Sequence, residues 1–171
     1  LMEGVEDIPG TALHEGIEWD WETFPEYLDV LDNKPLAIDV GTQIPHGAVR
    51  AYVMGERGIN HELATDEEIS RMKEIVKEAI QAGAYGFTTS RTEKHSDVEG
   101  KLTPSITAHK KELVEIAKSL GELKQGVLQG ISDFYNFEEE FDIFKSMSKE
   151  SKRPISITVE QQDARPDWWH Q

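Results

Sequence analysis

The sequence contains no cysteine, which excludes disulfides, thiolate metal ligands and a cysteine nucleophile within this chain. It also lacks any apolar run near the roughly 20 residues that a membrane-spanning helix needs. The first residues, Leu1 to Gly4, have neither the basic nor the apolar region of a secretory signal peptide. We therefore expect a cytoplasmic protein that has no membrane as a partner.

Basic residues are scarce, since 18 Lys and Arg stand against 33 Asp and Glu and give a net charge of −15. The imbalance is greatest in residues 1–32, which contain ten acidic residues and no Lys or Arg. Such a field repels nucleic acid, which is therefore not an expected partner. The acidic segment is interpreted either as a cation-binding tail or as an ordinary solvated surface.

The length of 171 residues is sufficient for one domain with a hydrophobic core. Residues 1–20 contain Gly and Pro at several positions and predict an irregular N-terminal arm. The chain ends near Trp168 and Trp169, two large aromatics that favour burial. We interpret the chain as one segment of a longer protein, and a processed or trimmed chain is the alternative.

Strand and helix signals alternate along the chain. Short apolar runs predict strands over residues 36–40, 85–89, 126–131 and 155–159. Helical spacing predicts helices over residues 24–31 and 46–54, and in longer stretches that begin near Thr65, Leu113 and Asn136. Capping boxes at Thr65/Glu68 and Asn136/Glu139 support two of these starts. The polar residues 91–105 are predicted to form a functional or mobile loop.

This order predicts an α/β fold with four consecutive parallel strands and helical crossovers. Four such units fit either half of an eight-stranded TIM barrel or a small open doubly wound sheet. No Gly-x-Gly-x-x-Gly or Walker-type loop follows any strand, which disfavours a nucleotide-binding protein.

Polar residues follow the predicted strands at their carboxyl ends, where both architectures bind ligands. They are Thr42, Gln43 and His46; Thr88, Thr89, Ser90 and Arg91; Gln129, Ser132 and Asp133; and Glu160, Gln161, Gln162 and Asp163. Gln129 lies within an apolar strand, so it either lines a site or is a core residue with a hydrogen-bond partner.

Two further pairs have two interpretations each. His46 and Arg50 are four residues apart and either hold a carboxylate together or are a helix-start histidine and a surface arginine. Trp19 and Trp21 either cover a cleft or anchor the N-terminal arm. No histidine pair has His-x-His or His-x-x-x-His spacing, so the residues themselves predict no metal site.

Five strings are long enough to compare with known families. They are MEGVEDIPG (2–10), WDWETFPEYLD (19–29), PHGAVRAYVMGERG (45–58), AGAYGFTTSRT (82–92) and KKELVEIAKSLGELKQGVLQGISDF (110–134). Together they resemble the N-acyl-D-amino-acid deacylases, or D-aminoacylases, of the amidohydrolase superfamily. The resemblance implies a partial TIM barrel and hydrolysis of a small-molecule amide. It also implies a metal ion, typically zinc, that activates the attacking water.

Carried over residue by residue, the resemblance is partial. It implies that a His-x-His pair and a metal-binding Cys precede this chain and that a catalytic Asp follows it. Two more metal-binding histidines of the family fall where this sequence has Gln129 and Gln161 or Gln162, and glutamine is a weaker zinc ligand than imidazole. We assign no metal or catalytic residue, and we assign the following residues to the substrate site: His46, Arg50, Thr89, Ser90, Arg91, Gln129 and Gln161.

Three hypotheses follow. In the first, the chain (1–171) is a segment of the barrel of an amidohydrolase that cleaves N-acyl-D-amino acids, and the isolated chain is inactive. In the second, the parent is a non-catalytic or altered barrel that binds acyl-amino acids. In the third, the open strand edges of a half-barrel pair two copies as a homo-oligomer.

Overall fold

The computed structural model describes residues 8–159, and a single parallel sheet lies at its centre. Its strands are adjacent in chain order: β1 (Ile44–Pro45), β2 (Gly86–Arg91), β3 (Val127–Ser132) and β4 (Ile155–Thr158). Phe87 pairs with Ile44 on one side and with Leu128 on the other, and Leu128 also pairs with Ile155. The predicted α/β fold with parallel strands and helical crossovers is confirmed.

Helices surround the sheet on the side that carries the core. In the described range they are α1 (Gly10–Gly16), α2 (Phe24–Asp32), α3 (His46–Met54), α4 (Glu56–Ile59), α5 (Asp66–Ala82), α6 (Lys110–Leu123) and α7 (Phe137–Ser151).

The capping residues begin the helices where the sequence predicts. The Thr65 hydroxyl accepts a hydrogen bond from the Glu68 backbone N–H, and the Glu68 carboxylate accepts one from the Thr65 backbone N–H. Asn136 caps α7 through the Glu139 backbone N–H, but Glu139 returns the contact to the Asn136 side-chain amide instead of its backbone. The predicted second capping box is therefore only half formed.

The predicted strand at residues 36–40 is wrong. Leu36, Ile38 and Val40 are 47%, 76% and 51% exposed, and the first strand is instead the two residues Ile44–Pro45. An apolar run becomes a strand only where a neighbouring strand completes its hydrogen bonds. Within residues 8–159, regular pairing with β2 begins only at Ile44, so the preceding apolar residues have no ladder to join.

Smaller differences concern element ends. The segment 1–20, predicted as irregular, contains α1. Strand β2 runs two residues beyond its predicted end, to Arg91. Helix α6 continues through Gly121 to Leu123, and its C-cap residue Lys124 has a φ of 55°.

The two faces of the sheet differ because side chains alternate along each strand. Phe87 and Leu128 are fully buried and point toward the helices. Phe144 and Met147 of α7 are also fully buried and contribute to the same core from the helix side. Phe141 of α7 is instead 45% exposed. The opposite side of the sheet, which we call the open face, is less buried and consists of Thr88, Ser90, Gln129, Ile131, Ser156 and Thr158.

The contact between α6 and α7 predicts a stability effect. A Cβ atom at Gly121 would lie 2.4 Å from the backbone oxygen of Ser151, so Gly121→Ala must push the helices apart. We expect urea unfolding to show that the free energy of unfolding falls by about 1–3 kcal/mol, the usual cost of overpacking. Gly16→Ala is the control, because a Cβ there meets no atom within 4 Å. Equal effects of the two substitutions would contradict this packing.

Candidate functional site

A buried charged cluster lies between the sheet and the helices. His46 begins α3 and Arg50 follows one turn later, and both side chains reach the same Oε1 of Glu112 in α6, at 2.8 Å from His46 Nε2 and 2.9 Å from Arg50 Nε. The other imidazole nitrogen, Nδ1, lies 2.9 Å from the Thr89 hydroxyl of β2. His46, Arg50 and Glu112 have side chains no more than 1% exposed.

Arg50 also connects this cluster to two loops. Its guanidinium donates to the backbone oxygen of Pro104, and to that of Glu62 at 2.7 Å. Because a buried guanidinium must satisfy its N–H groups, the loops that carry these oxygens are held in place by the same side chain that neutralises Glu112.

Burial lowers the pKa of His46 below its ordinary value of 6.5, although Glu112 acts in the opposite direction. Desolvation disfavours the imidazolium, and the nearby Arg50 adds a repulsive positive charge. His46 is therefore neutral at pH 7, and Arg50 supplies the charge that balances Glu112.

The sequence anticipates part of this cluster. His46 and Arg50 do share one carboxylate, but the carboxylate is Glu112 of the same chain. Their role in holding a substrate stays a prediction, because in this structure both are enclosed by protein atoms. Glu112 was not predicted from the sequence, although its position one and two turns before Ile116 and Leu120 places it on the buried face of α6.

The open face carries a second polar group. Gln129 is half-buried there and its Oε1 accepts a hydrogen bond of 2.8 Å from Gln43 Nε2. Ser90, one row nearer the carboxyl end of β2, places its Oγ 2.7 Å from Nδ1 of His95. Hydroxyl, amide and imidazole groups therefore lie on the side of the sheet that the described helices do not cover.

The predicted site residues thus fall into two groups. His46, Arg50 and Thr89 belong to the buried cluster, and Arg91 also points to the helix side, where it forms two 2.7 Å hydrogen bonds with Glu140. Ser90 and Gln129 lie on the open face. Gln161 lies outside the described residues, so its substrate contact stays a prediction.

The described residues do not fit a metal site. Among residues 8–159, no group of three or more His, Asp or Glu side chains could hold a metal ion. The Gln129 oxygen, at a position where the resemblance implies a ligand, already accepts a hydrogen bond from Gln43.

Among residues 8–159, no helix combines the length and apolar composition that a membrane crossing requires.

An aromatic cavity of about 570 Å³ lies beside the first strand, between α2, α3 and α5. Its wall includes Trp19, Trp21 and Tyr27, with ring centroids 5.6 Å apart for Trp19 and Trp21 and 5.2 Å apart for Trp21 and Tyr27. Trp21 therefore packs on Tyr27 of α2, and both tryptophans line the cavity, while a binding role for the cavity stays a prediction.

Comparisons with known proteins identify the family of this chain. A model of the amidohydrolase family matches residues 1–171. A D-aminoacylase of Alcaligenes xylosoxydans xylosoxydans is 31% identical over 112 residues, which cover 66% of this chain and 21% of that protein. An N-acyl-D-aspartate deacylase of the same organism is 37% identical over 67 residues, 39% of this chain and 13% of the relative. The chain thus spans about a fifth, or less, of these relatives.

Solved structures give the same result for the fold. A D-aminoacylase studied for the role of its binuclear metal center superposes with a TM-score of 0.67 at 22% identity, over 81% of this chain and 27% of that one. A second D-aminoacylase structure gives 0.66 at 20% identity, over 84% and 28%. The expected partial TIM barrel is confirmed.

The shared carboxylate predicts a large and specific stability loss. Glu112→Gln leaves the Arg50 charge buried without its counterion, and breaking such a pair costs about 3–5 kcal/mol. Glu115→Gln in the same helix is the control, because its partner Lys118 is 36% exposed and surface pairs contribute about 0–1 kcal/mol. Urea unfolding compares the two variants, and similar losses would contradict the buried pair.

The neutral His46 predicts a pH dependence of stability. Between its lowered folded pKa and the ordinary value of 6.5, the unfolded chain binds a proton at His46 that the folded chain does not. The free energy of unfolding therefore falls as the pH drops below 6.5, with a slope of at most about 1.4 kcal/mol per pH unit from this group. Unfolding at pH 7.5, 6.5 and 5.5 measures the slope, and His46→Gln should flatten it.

Proposed function

Because this chain belongs to the amidohydrolase family, we propose that the protein containing it hydrolyses the amide C–N bond of an N-acyl-D-amino acid or a related small-molecule amide. The observation that carries the proposal is the family match over residues 1–171. The names of the two relatives, D-aminoacylase and N-acyl-D-aspartate deacylase, support this substrate class.

The open face is the proposed substrate surface. Ser90 lies on it near the carboxyl end of β2, where barrel enzymes bind substrates, and Gln129 lies one row deeper in the middle of β3. A hydroxyl and a side-chain amide can each donate and accept hydrogen bonds, and an amide substrate needs both functions. Gln161 is proposed for the same surface from the sequence alone.

The buried cluster is proposed to support this surface from behind. Thr89 and Arg91 alternate with Ser90 along β2 and bind His46 and Glu140 on the helix side. These contacts fix the end of β2, so Ser90 projects from a strand that is held on its other side. His46, Arg50, Thr89 and Arg91 then affect substrate binding through the position of the strand.

Amide hydrolysis also requires an activated water and a proton donor for the leaving amine. The family resemblance implies zinc for the first task, but the described residues contain no set of ligands that fits it. We therefore assign substrate binding to this chain and leave bond cleavage to residues outside the described range. The cytoplasmic location expected from the sequence stays a prediction.

A second candidate is a barrel that binds acyl-amino acids without cleaving them. It is favoured by one observation, that Gln129 engages Gln43 where the resemblance implies a metal-binding histidine. A homo-oligomer also stays a prediction. It would pair two copies through β1 and β4, which are the edge strands of the described sheet.

The proposed function predicts two activities that differ sharply. The intact protein should release free D-amino acid from N-acetyl-D-amino acids, and the isolated 171-residue chain should not. Amino-acid release measured by derivatisation of the new amine checks both expectations. Amidase activity in the isolated chain would show that the cleavage residues lie within it.

Metal analysis separates the two candidate functions. We expect a stoichiometric metal in the intact protein and activity that a chelator removes and added zinc restores. An intact protein that binds N-acetyl-D-amino acids but neither holds metal nor cleaves them would instead be the non-catalytic barrel.

A further inference from the structure

The loop that follows β2 has a defined internal structure. We call residues 92–105 the rim loop, because they leave the carboxyl end of the strand. Ser96 and Leu102 form an antiparallel bridge, and the Asp97 carboxylate accepts hydrogen bonds from the backbone N–H groups of Glu99 (3.0 Å) and Lys101 (2.8 Å). Gly100 has a φ of 81°, a left-handed conformation that glycine adopts easily and that lets the chain reverse direction at the tip of the loop.

Three of the contacts that attach the rim loop to the rest of the fold lie in its C-terminal half. Arg50 of the buried cluster donates to the Pro104 oxygen, and His61 Nε2 lies 3.1 Å from the Leu102 oxygen. The Ser105 hydroxyl donates to the backbone oxygen of Ser90 at 2.8 Å. The base of the loop is buried at Thr103, Pro104 and Ser105. The loop is therefore a fixed support.

His95 is the imidazole that this support carries. Its backbone N–H donates to the Thr92 oxygen at 3.4 Å, and its backbone oxygen accepts from the Thr103 N–H at 3.1 Å. Its Nδ1 lies 2.7 Å from Ser90 Oγ on the open face, and the residue is half-buried. No group among residues 8–159 hydrogen-bonds its Nε2.

Three carboxylates in or beside the rim loop have hydrogen-bond partners. The Asp97 carboxylate accepts hydrogen bonds from backbone N–H groups of the rim loop. The Asp133 carboxylate accepts hydrogen bonds from the Thr92 hydroxyl at 2.6 Å and from the Glu93 backbone N–H at 2.7 Å. The Glu93 carboxylate accepts from the Tyr135 hydroxyl at 3.3 Å. Because these anions are engaged, the polar groups that His95 and Ser90 present are suited to an anion or a carbonyl rather than a cation.

We propose that His95, oriented by Ser90, is a further substrate-binding residue that binds the carboxylate of the amino-acid part of the substrate through Nε2. The proposal rests on the proposed function, since it assumes an N-acyl-amino acid as the ligand. With the Ser90 hydroxyl donating to Nδ1, the imidazole carries its proton on Nε2 and donates it to the carboxylate. A ring fixed in this way loses little conformational freedom when the substrate binds.

Two substitutions separate the two ring nitrogens. The amide nitrogen of Asn lies near the position of Nδ1, and that of Gln reaches toward Nε2. His95→Asn therefore retains a partner for Ser90 and removes the substrate contact, and His95→Gln retains a donor for the substrate. The exposed helix-capping His109 provides the control, because His109→Asn preserves a capping side chain.

The assay uses the intact protein with N-acetyl-D-alanine and with N-acetyl-D-alaninamide, which lacks the carboxylate. We expect His95→Asn to raise KM for the acid roughly tenfold or more, the value of one hydrogen bond to a charged group, with little change in kcat. KM for the alaninamide should stay unchanged, His95→Gln should recover much of the loss, and the His109 control should match the wild type.

Other outcomes overturn the proposal. Equal losses on both substrates, or full activity of His95→Asn, would show that His95 supports the loop without contacting the carboxylate. Calorimetric titration of the same variants with N-acetyl-D-alanine separates this failure from that of the proposed function. A wild type that binds but does not cleave refutes only hydrolysis, and a tenfold affinity loss in His95→Asn would still support the contact. A wild type that neither binds nor cleaves refutes both.

Discussion

The structure depends on one carboxylate that has been removed from water. Glu112 Oε1 is shared by His46 and Arg50, and these side chains connect α3, α6 and β2 in a single contact. Taking charges out of water is unfavourable, so the arrangement persists only while every partner is present. The helices on this side of the sheet are consequently fixed relative to β2 and to the loops that Arg50 binds.

The same cluster divides the protein into two chemical layers. Behind the sheet, the charged groups are engaged with one another in pairs such as Arg91 and Glu140. On the open face, the side chains are neutral, and those of the central strands, such as Ser90 and Gln129, are half-buried. The open face therefore presents hydrogen-bonding groups of both kinds, which the proposed amide substrate requires.

The sequence predicts the helices better than the site. Caps such as Thr65 act within one turn, so the start of α5 follows from local residues alone. The strand predicted at residues 36–40 failed because pairing depends on a distant partner. Glu112 and His95 were missed for a similar reason, since their partners His46 and Ser90 are identified only by the folded chain. Side-chain alternation along a strand places Thr89 and Ser90 on opposite faces. The predicted strand ended at Thr89, however, and β2 continues to Arg91.

The rim loop has a consequence for how such proteins diversify. Its base is anchored at Pro104 and Ser105, whereas Val98 near its tip is 67% exposed and lies outside these contacts. The side chains at residues 98 and 99 can therefore change without disturbing the scaffold, whereas Gly100 is needed for the turn. Tips of different chemistry can be built on this one anchored base, so the same two positions are suitable for library design.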